Sequence, residues 1–599
     1  MRLKGLSESG DSLYQLMMVV FPFLMFSRRR RFALMTQTVA RGLLLGGVMG
    51  ASVLASAPAH ADTDYASTLS GNYLAALVAG MSNDPTSASR FYSESIKFDP
   101  RSADLAERAF VTLLAEGKMT EALPLADTVA KRNSGSGIAR LAQGVRAIKE
   151  KNFQNSRSIF RRGDKAQSSD ITADLVIAWS WLGSGNIKRA LESVDHLPDD
   201  QGARVFRLLH RGLIAKVGGK VDEARKALKA AYESDPQSLR TADLYAQFLI
   251  SQRETDEALT VYRGLKLLYP RHPILRTAIA QLEAGKQPTD EIRDESDGIA
   301  EVLYGLGSAV TRDGDELASL IYLRLAYYLS PNHNLAAIAI ADTYERLKQP
   351  QSANGAYALV EPTSPLRLTA DVQRALNLEQ LGEKDEAVNV LKAVSAQSKD
   401  EIEPLIALGN IYRARKAFAE AAETYSAAIA ALGQPTAGHW SLFYSRGIAL
   451  ERLKRWPEAE ADFRKALELS PDQPLVLNYL GYSWVEQNAN LDEAFKMLRR
   501  AVDQQPTDGY IVDSLGWAYF RLGQYDKALQ LLEKAVDLKA ADPTINDHLG
   551  DVYWRLGREL EARFQWNHAR DLNPEPEDLP KILEKIEKGL PPLTTSSGG

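Results

Sequence analysis

The sequence predicts an all-α chain, a solenoid of stacked helix–turn–helix repeats with no sheet. Three observations predict it. A self-similar period of 34 residues recurs along the chain, no stretch reads as alternating strands, and small residues and prolines return at fixed places in the period. The period is plainest near the C-terminus, in NYLGYSWVEQNANLDEA (478–494), DSLGWAYFRLGQYDKA (513–528) and DHLGDVYWRLGRELEA (547–562). Ala494, Ala528 and Ala562 stand 34 residues apart, and Pro471, Pro506 and Pro574 close their repeats.

Each marker has a physical reason. In the repeat opening at Trp440, the residues Phe443, Gly447, Leu450, Ala459, Phe463, Ala466 and Pro471 occupy positions 4, 8, 11, 20, 24, 27 and 32, with Arg446 replacing leucine at position 7. The repeat opening at Pro543 carries Leu549, Gly550, Tyr553, Ala562, Trp566, Ala569 and Pro574 in the same register. Small residues at 8 and 20 let two helices approach, and large residues at helical spacing fill the seam. Proline at 32 cannot continue the second helix, because it lacks an N–H and clashes with the preceding turn. One hairpin cannot bury its own apolar face, so neighbours stack. The pattern W-x2-L-G-x2-Y, followed by Ala, Phe and Pro, resembles the tetratricopeptide repeat (TPR). That resemblance implies a right-handed α-solenoid whose enzymatic members usually carry a separate catalytic domain.

In chain order, residues 1–61 read as an export signal. Arg28 to Arg31 form a basic block, Gly42 to Ala57 run without a charge, and Ala59-His60-Ala61 is a small-x-small site with cleavage predicted after Ala61. The apolar run is shorter than the ~20 residues of a spanning helix, so no stable span is expected once it is removed. Basic charge ahead of it sends the remainder out of the cytoplasm, to the periplasm. Met1 and Met35 both stand as starts, and Arg29-Arg30-Arg31-Phe32 leaves the Sec and twin-arginine routes both open.

Repeats opening at 69, 103, 137, 171, 205 and 239 form an N-terminal block over 69–270. It is marked by Ala88, Ala122, Ala190, Ala224 and Ala258 at position 20 and by Pro100, Pro236 and Pro270 at position 32. Residues 271–299 break the period: Ile274 to Ala284 suit one helix, and GKQPTDEIRDESDG reads as a solvated acidic loop joining two blocks. A C-terminal block over 300–574 holds about eight repeats, opening at 300, 334, 368, 402, 440, 474, 509 and 543. Leu579, Ile582, Leu583 and Ile586 predict a capping helix within 575–590, and 591–599 a disordered tail.

Composition removes several functions. The 599 residues carry 72 Lys and Arg against 77 Asp and Glu, and loss of residues 1–61 leaves a net charge of −10. Such a surface suits neither nucleic acid nor anionic lipid headgroups. Absence of cysteine excludes disulfides, thiolate metal sites and cysteine nucleophiles. The eight histidines form neither H-x3-H nor H-E-x-x-H. His548 and Asp551, three residues apart, could offer two ligands to a metal, but such a lone pair is more often a surface feature. Phosphate-binding loops and nucleophile elbows are missing too. The repeats use nearly all the exported chain and leave no room for a catalytic domain. No enzyme, cofactor or metal is expected; a hydrolase using His548, Asp547 and Asp551 is the remote alternative.

In TPR solenoids, positions 2, 5, 9, 12 and 13 of the first helix commonly line the concave face. Carried over, they give Asn478 and Tyr482; Asp513, Trp517, Phe520 and Arg521; and Asp547, Asp551, Trp554 and Arg555 as partner-binding residues. Aromatic anchors beside carboxylates suit a protein or peptide segment. The alternative is that these aromatics pack between neighbouring helices or onto the capping helix. The exported part also resembles large TPR proteins of alphaproteobacterial envelopes, which implies a periplasmic scaffold in envelope assembly or integrity. An accessory role in polysaccharide or protein secretion is the second reading.

Overall fold

The computed structural model describes residues 68–592 apart from 83, 134, 162–170 and 198–200. The expected export signal, and residues 593–599 of the expected tail, lie outside the described residues. Among the described residues, regular structure is helical throughout, and none of the helices is long and apolar enough to cross a membrane. The chain forms two compact units, one ending at Ala387 and the other beginning at Val388.

The first unit opens with five antiparallel pairs: α1 (Leu69–Met81) with α2 (Pro85–Phe98), α3 (Ala103–Glu116) with α4 (Met119–Arg132), α5 (Gly137–Lys149) with α6 (Phe153–Arg161), α7 (Ile171–Gly183) with α8 (Ile187–Asp195), and α9 (Gln201–Val217) with α10 (Val221–Ser234). Then come α11 (Leu239–Ser251), α12 (Thr255–Leu268), α13 (Pro273–Glu283), α14 (Glu295–Arg312), α15 (Glu316–Leu329), α16 (Asn334–Arg346), α17 (Pro350–Tyr357) and α18 (Arg367–Gln380). Helix α19 (Lys384–Gln397) spans the unit boundary. The second unit continues with α20 (Glu403–Ala414), α21 (Phe418–Ala431), α22 (Trp440–Arg452), α23 (Trp456–Leu469), α24 (Pro474–Glu486) and α25 (Leu491–Gln504). It closes with α26 (Gly509–Arg521), α27 (Tyr525–Leu538), α28 (Pro543–Arg555), α29 (Glu559–Asp571) and α30 (Leu579–Lys588).

Local chemistry sets the ends of these helices. Thr68, Ser102, Ser136, Ser238, Asp508 and Asp542 stand one residue before a first helix, and each accepts a hydrogen bond from a backbone N–H in its first turn. At position 8 the sequence has glycine because helix B leaves no room for more. A Cβ on Gly447 would lie 2.7 Å from the Phe463 ring, and one on Gly550 2.5 Å from Trp566.

The break at 271–299 is solvated only in part: residues 283–287 are exposed, while Ile292 and residues 296–299 are buried. Helix α13 packs on α12, and the chain then turns back rather than extending the stack. Arg240 of α11, 2% exposed, takes Glu291 at 2.6 Å and Glu301 of α14 at 3.0 and 2.6 Å; Ile292 is buried, and Lys216 pairs with Asp290. Helix α14 lies against α7 and α9, and α15 against α3 and α5, all first helices of the early repeats. Gly298 meets the Trp179 ring so closely that a Cβ there would fall 2.2 Å from it. Lys149 donates to the Leu329 carbonyl at 3.0 Å. The core is consequently continuous from Ala106 to Ala370, and the unit runs well past the expected boundary. The reason is apolar burial: positions 9 and 12 of these first helices include Leu114, Val145, Ile148, Trp179 and Leu213, all buried under the returning hairpin or within the core it completes.

Candidate functional site

Helices α24, α26 and α28 are consecutive first helices of the second unit and carry all ten expected partner-binding residues. Their side chains divide into two groups.

The first group centres on a stack of rings. Trp517 lies nearly parallel to His548 (centroids 3.9 Å, planes 15° apart) and to Phe520 (4.7 Å, 17°). Asp513 is buried behind them, with its carboxylate oxygens 3.0 and 3.1 Å from His548 Nδ1, which donates to it. Burial works against an imidazolium here, but Asp513, then Asp547 and Asp551, outweigh it and raise the pKa of His548. Trp517 Nε1 donates to Glu486 Oε1 at 2.6 Å, and Arg521 reaches the same oxygen at 3.0 Å. Glu486 and Arg521 are both half-exposed. Tyr482 is largely enclosed, and burial, reinforced by Glu486 and Asp513, pushes its phenol pKa up. Asn478 Oδ1 is buried without a partner.

The second group is covered by the chain itself. Lys585 of α30 inserts its ammonium between Asp547 (2.7 Å) and Asp551 (2.8 Å). The other Asp551 oxygen accepts from Trp566 Nε1 at 2.9 Å. Burial raises the pKa of Asp551 to about 6 against the pull of Lys585. Trp554 packs on Trp566 (5.5 Å) and against Gly589, and Arg555 donates to the Pro591 carbonyl at 2.8 Å. Upstream of α30, Glu575 pairs with Lys416 at 2.8 Å. The C-terminal segment thus seals the end of the stack and lies over Asp547, Asp551, Trp554 and Arg555. For Trp554 the alternative of packing onto the capping helix is the one realised, while Trp517 bridges two repeats by its stack.

Glu486, His548 and Lys585 belong to this constellation although they are not among the ten residues carried over from the repeat. Glu486 stands at position 13 of its repeat, so the same positional rule reaches it. His548 is held by tertiary contacts to the preceding repeat, which no local pattern announces. Among the described residues, no group of three or more His, Cys, Asp or Glu side chains is placed to hold a metal ion.

Family models of the tetratricopeptide repeat match residues 218–282 and, in three overlapping stretches, 372–435, 406–474 and 444–509. A TPR repeat model matches 516–557. Over 84 residues the chain is 31% identical to a TPR repeat-containing protein of Pseudomonas aeruginosa, and the match covers 14% of each chain's length. Among solved structures, a tetratricopeptide repeat protein from Parabacteroides merdae is similar at 18% identity, over 42% of this chain and 97% of that one, with a TM-score of 0.35. The C-terminal part of a TPR repeat-containing protein from Cytophaga hutchinsonii is similar at 14% identity, over 34% and 78%, with a TM-score of 0.27. From the matched segments and the paired-helix architecture that contains them, this chain is built of tetratricopeptide repeats.

Proposed function

We propose that the protein is a non-enzymatic periplasmic scaffold that binds protein or peptide segments on the second unit's α24–α26–α28 face and supports envelope assembly or integrity. Tetratricopeptide repeats imply a protein-binding scaffold in the first place. The observation that carries the finer reading is the ring stack of Phe520, Trp517 and His548, edged by half-exposed Glu486 and Arg521. A rigid aromatic platform with a charged rim anchors an extended chain at small entropic cost. The surface beside it is closed by the C-terminal segment, so the partner meets Trp517, Phe520 and Arg521, with Tyr482 enclosed beneath them, rather than the Asp547–Asp551 pair. Export rests on the basic block, apolar run and Ala59-His60-Ala61 site of the sequence.

The test is crosslinking in intact cells followed by affinity capture of the mature protein. Arg521→Glu should lose an envelope partner while the melting temperature holds; Trp517→Ala should lose it as well, with a lower melting temperature because its stack joins two repeats. Full recovery by both variants would remove the groove from the reading. Periplasmic fractionation tests the location separately; retention in the cytosol would overturn it. Secretion machinery among the captured proteins would favour the accessory role over a structural one.

A further inference from the structure

Several arginines of the first unit are matched to a carboxylate. Arg146 sits on Asp127 (2.7 Å), Arg211 on Asp195 (2.8 Å), Arg225 on Glu254 (2.5 Å) and Arg240 on Glu301 (2.6 Å). One cluster departs from this. Around Trp181 of α7, the guanidinium carbons of Arg157, Arg189 and Arg161 lie 3.9, 4.8 and 5.8 Å from the ring centroid. Arg157 is buried and donates to the Ser180 carbonyl at 2.7 Å and to Ser184 Oγ at 2.8 Å, both at the carbonyl end of α7. The Ser180 and Ser184 contacts fix the guanidinium, and the partial negative charge of the helix end offsets only part of its own charge. Burial, then Arg161 and Arg189, lowers the Arg157 pKa, so the three cations repel one another, and among the described residues no carboxylate pairs with any of them. Arg161 and Arg189 are exposed.

Like charges are gathered on one ring only where something offsets their repulsion. The indole does part of this through cation–π attraction. The rest is available to an oxyanion, which guanidinium groups hold through paired N–H donors. In an exported chain of net charge −10, most of the surface would repel an acidic ligand, so this spot stands out as a local receptor. We propose that Arg157, Arg161, Arg189 and Trp181 form a binding site for a carboxylate side chain on an acidic segment of a partner protein. The site lies in the first unit, away from the concave-face positions, and does not depend on the Trp517 groove.

The experiment titrates the full mature chain with a labelled peptide of alternating Glu and Ala. Binding should saturate and weaken as salt rises, as an exposed charge contact must. Arg161→Glu with Arg189→Glu should weaken it by roughly tenfold or more, and Arg161→Gln with Arg189→Gln should do so without a charge reversal that could disturb the fold. Trp517→Ala should leave it unchanged. Absence of saturable binding, or binding by both double variants as tight as that of the unsubstituted chain, overturns the proposal. Displacement of the peptide by inorganic phosphate, not reproduced by sodium chloride at equal ionic strength, overturns the assignment to a carboxylate.

Discussion

At position 24 of several hairpins an aromatic side chain both fills the seam and makes one polar contact to the first helix. Tyr262 bonds Asp243, Tyr357 bonds Asp342, Tyr425 bonds Asn410 and Trp566 bonds Asp551, at 2.7 to 2.9 Å. These partners are held inside because the ring's polar atom needs one when buried. The carboxylates bear the cost: burial raises Asp243 and Asp342 to about 7. A polar residue at position 5 or 9 is therefore as much a bolt within its hairpin as a face for a ligand. His210 shows the opposite titration. It is fully buried with Nε2 unpartnered, and burial lowers its pKa to about 4. The unfolded chain takes up this proton from about pH 6.5 downward while the folded one resists until about 4, so stability falls across that window. His210→Leu should remove about 2 kcal/mol of the loss between pH 7.5 and pH 5. Urea melts of both proteins at the two pH values measure it; equal pH dependence would contradict the assignment.

Between the two helices of each hairpin from α3–α4 onward the chain passes through a left-handed residue at position 15. Glycine fills it at Gly117, Gly185, Gly219, Gly523 and Gly557; Lys151, Arg253, Lys348, Lys416, Lys454 and Asn488 adopt it at φ of 54° to 66°. A Cβ in that conformation crowds the following carbonyl, so each of these costs energy that glycine avoids. Lys454→Gly should stabilise the second unit by about 0.5–1 kcal/mol, and Gly523→Lys should destabilise it by a similar amount. Chemical denaturation of the two variants checks the pair. The connection at position 15 follows from the 34-residue period, whichever residue occupies it.

On the scale of the molecule, each unit places a later piece of its own chain on earlier first helices. In the first unit the piece is the α14–α15 hairpin, seated on α3, α5, α7 and α9. Gly298→Val would force atoms into the Trp179 ring and should cost about 3 kcal/mol, read as new protease cleavage near residues 284–294 and a lower melting temperature. In the second unit the piece is the C-terminal segment. Lys585→Met strands Asp547 and Asp551 side by side and should lower that unit's stability by about 2 kcal/mol at pH 8. The Asp551 pKa already stands at about 6 and rises further without the ammonium. At pH 5 the carboxyl is then protonated, and the loss should shrink. Thermal melts at both pH values decide this; a pH-independent loss would mean the lysine matters through its stem alone.

The amino-acid sequence by itself determined the repeat. Its period, its small residues at position 8 and its prolines act within one hairpin or between neighbours, over distances that a local pattern encodes. Asp513, Trp517 and Phe520 stand four and three residues apart on one helix, so the face they share follows from that same local spacing. Only the tertiary structure decided what covers those faces. The acidic stretch 285–298 reads as solvated until the buried Arg240, far earlier in the chain, claims Glu291 within it and Glu301 just beyond it. Lys585 reads as a surface residue until α30 carries it between two carboxylates. Both outcomes turn on pairing charges and burying apolar faces between segments distant in sequence, and such contacts have no period to betray them.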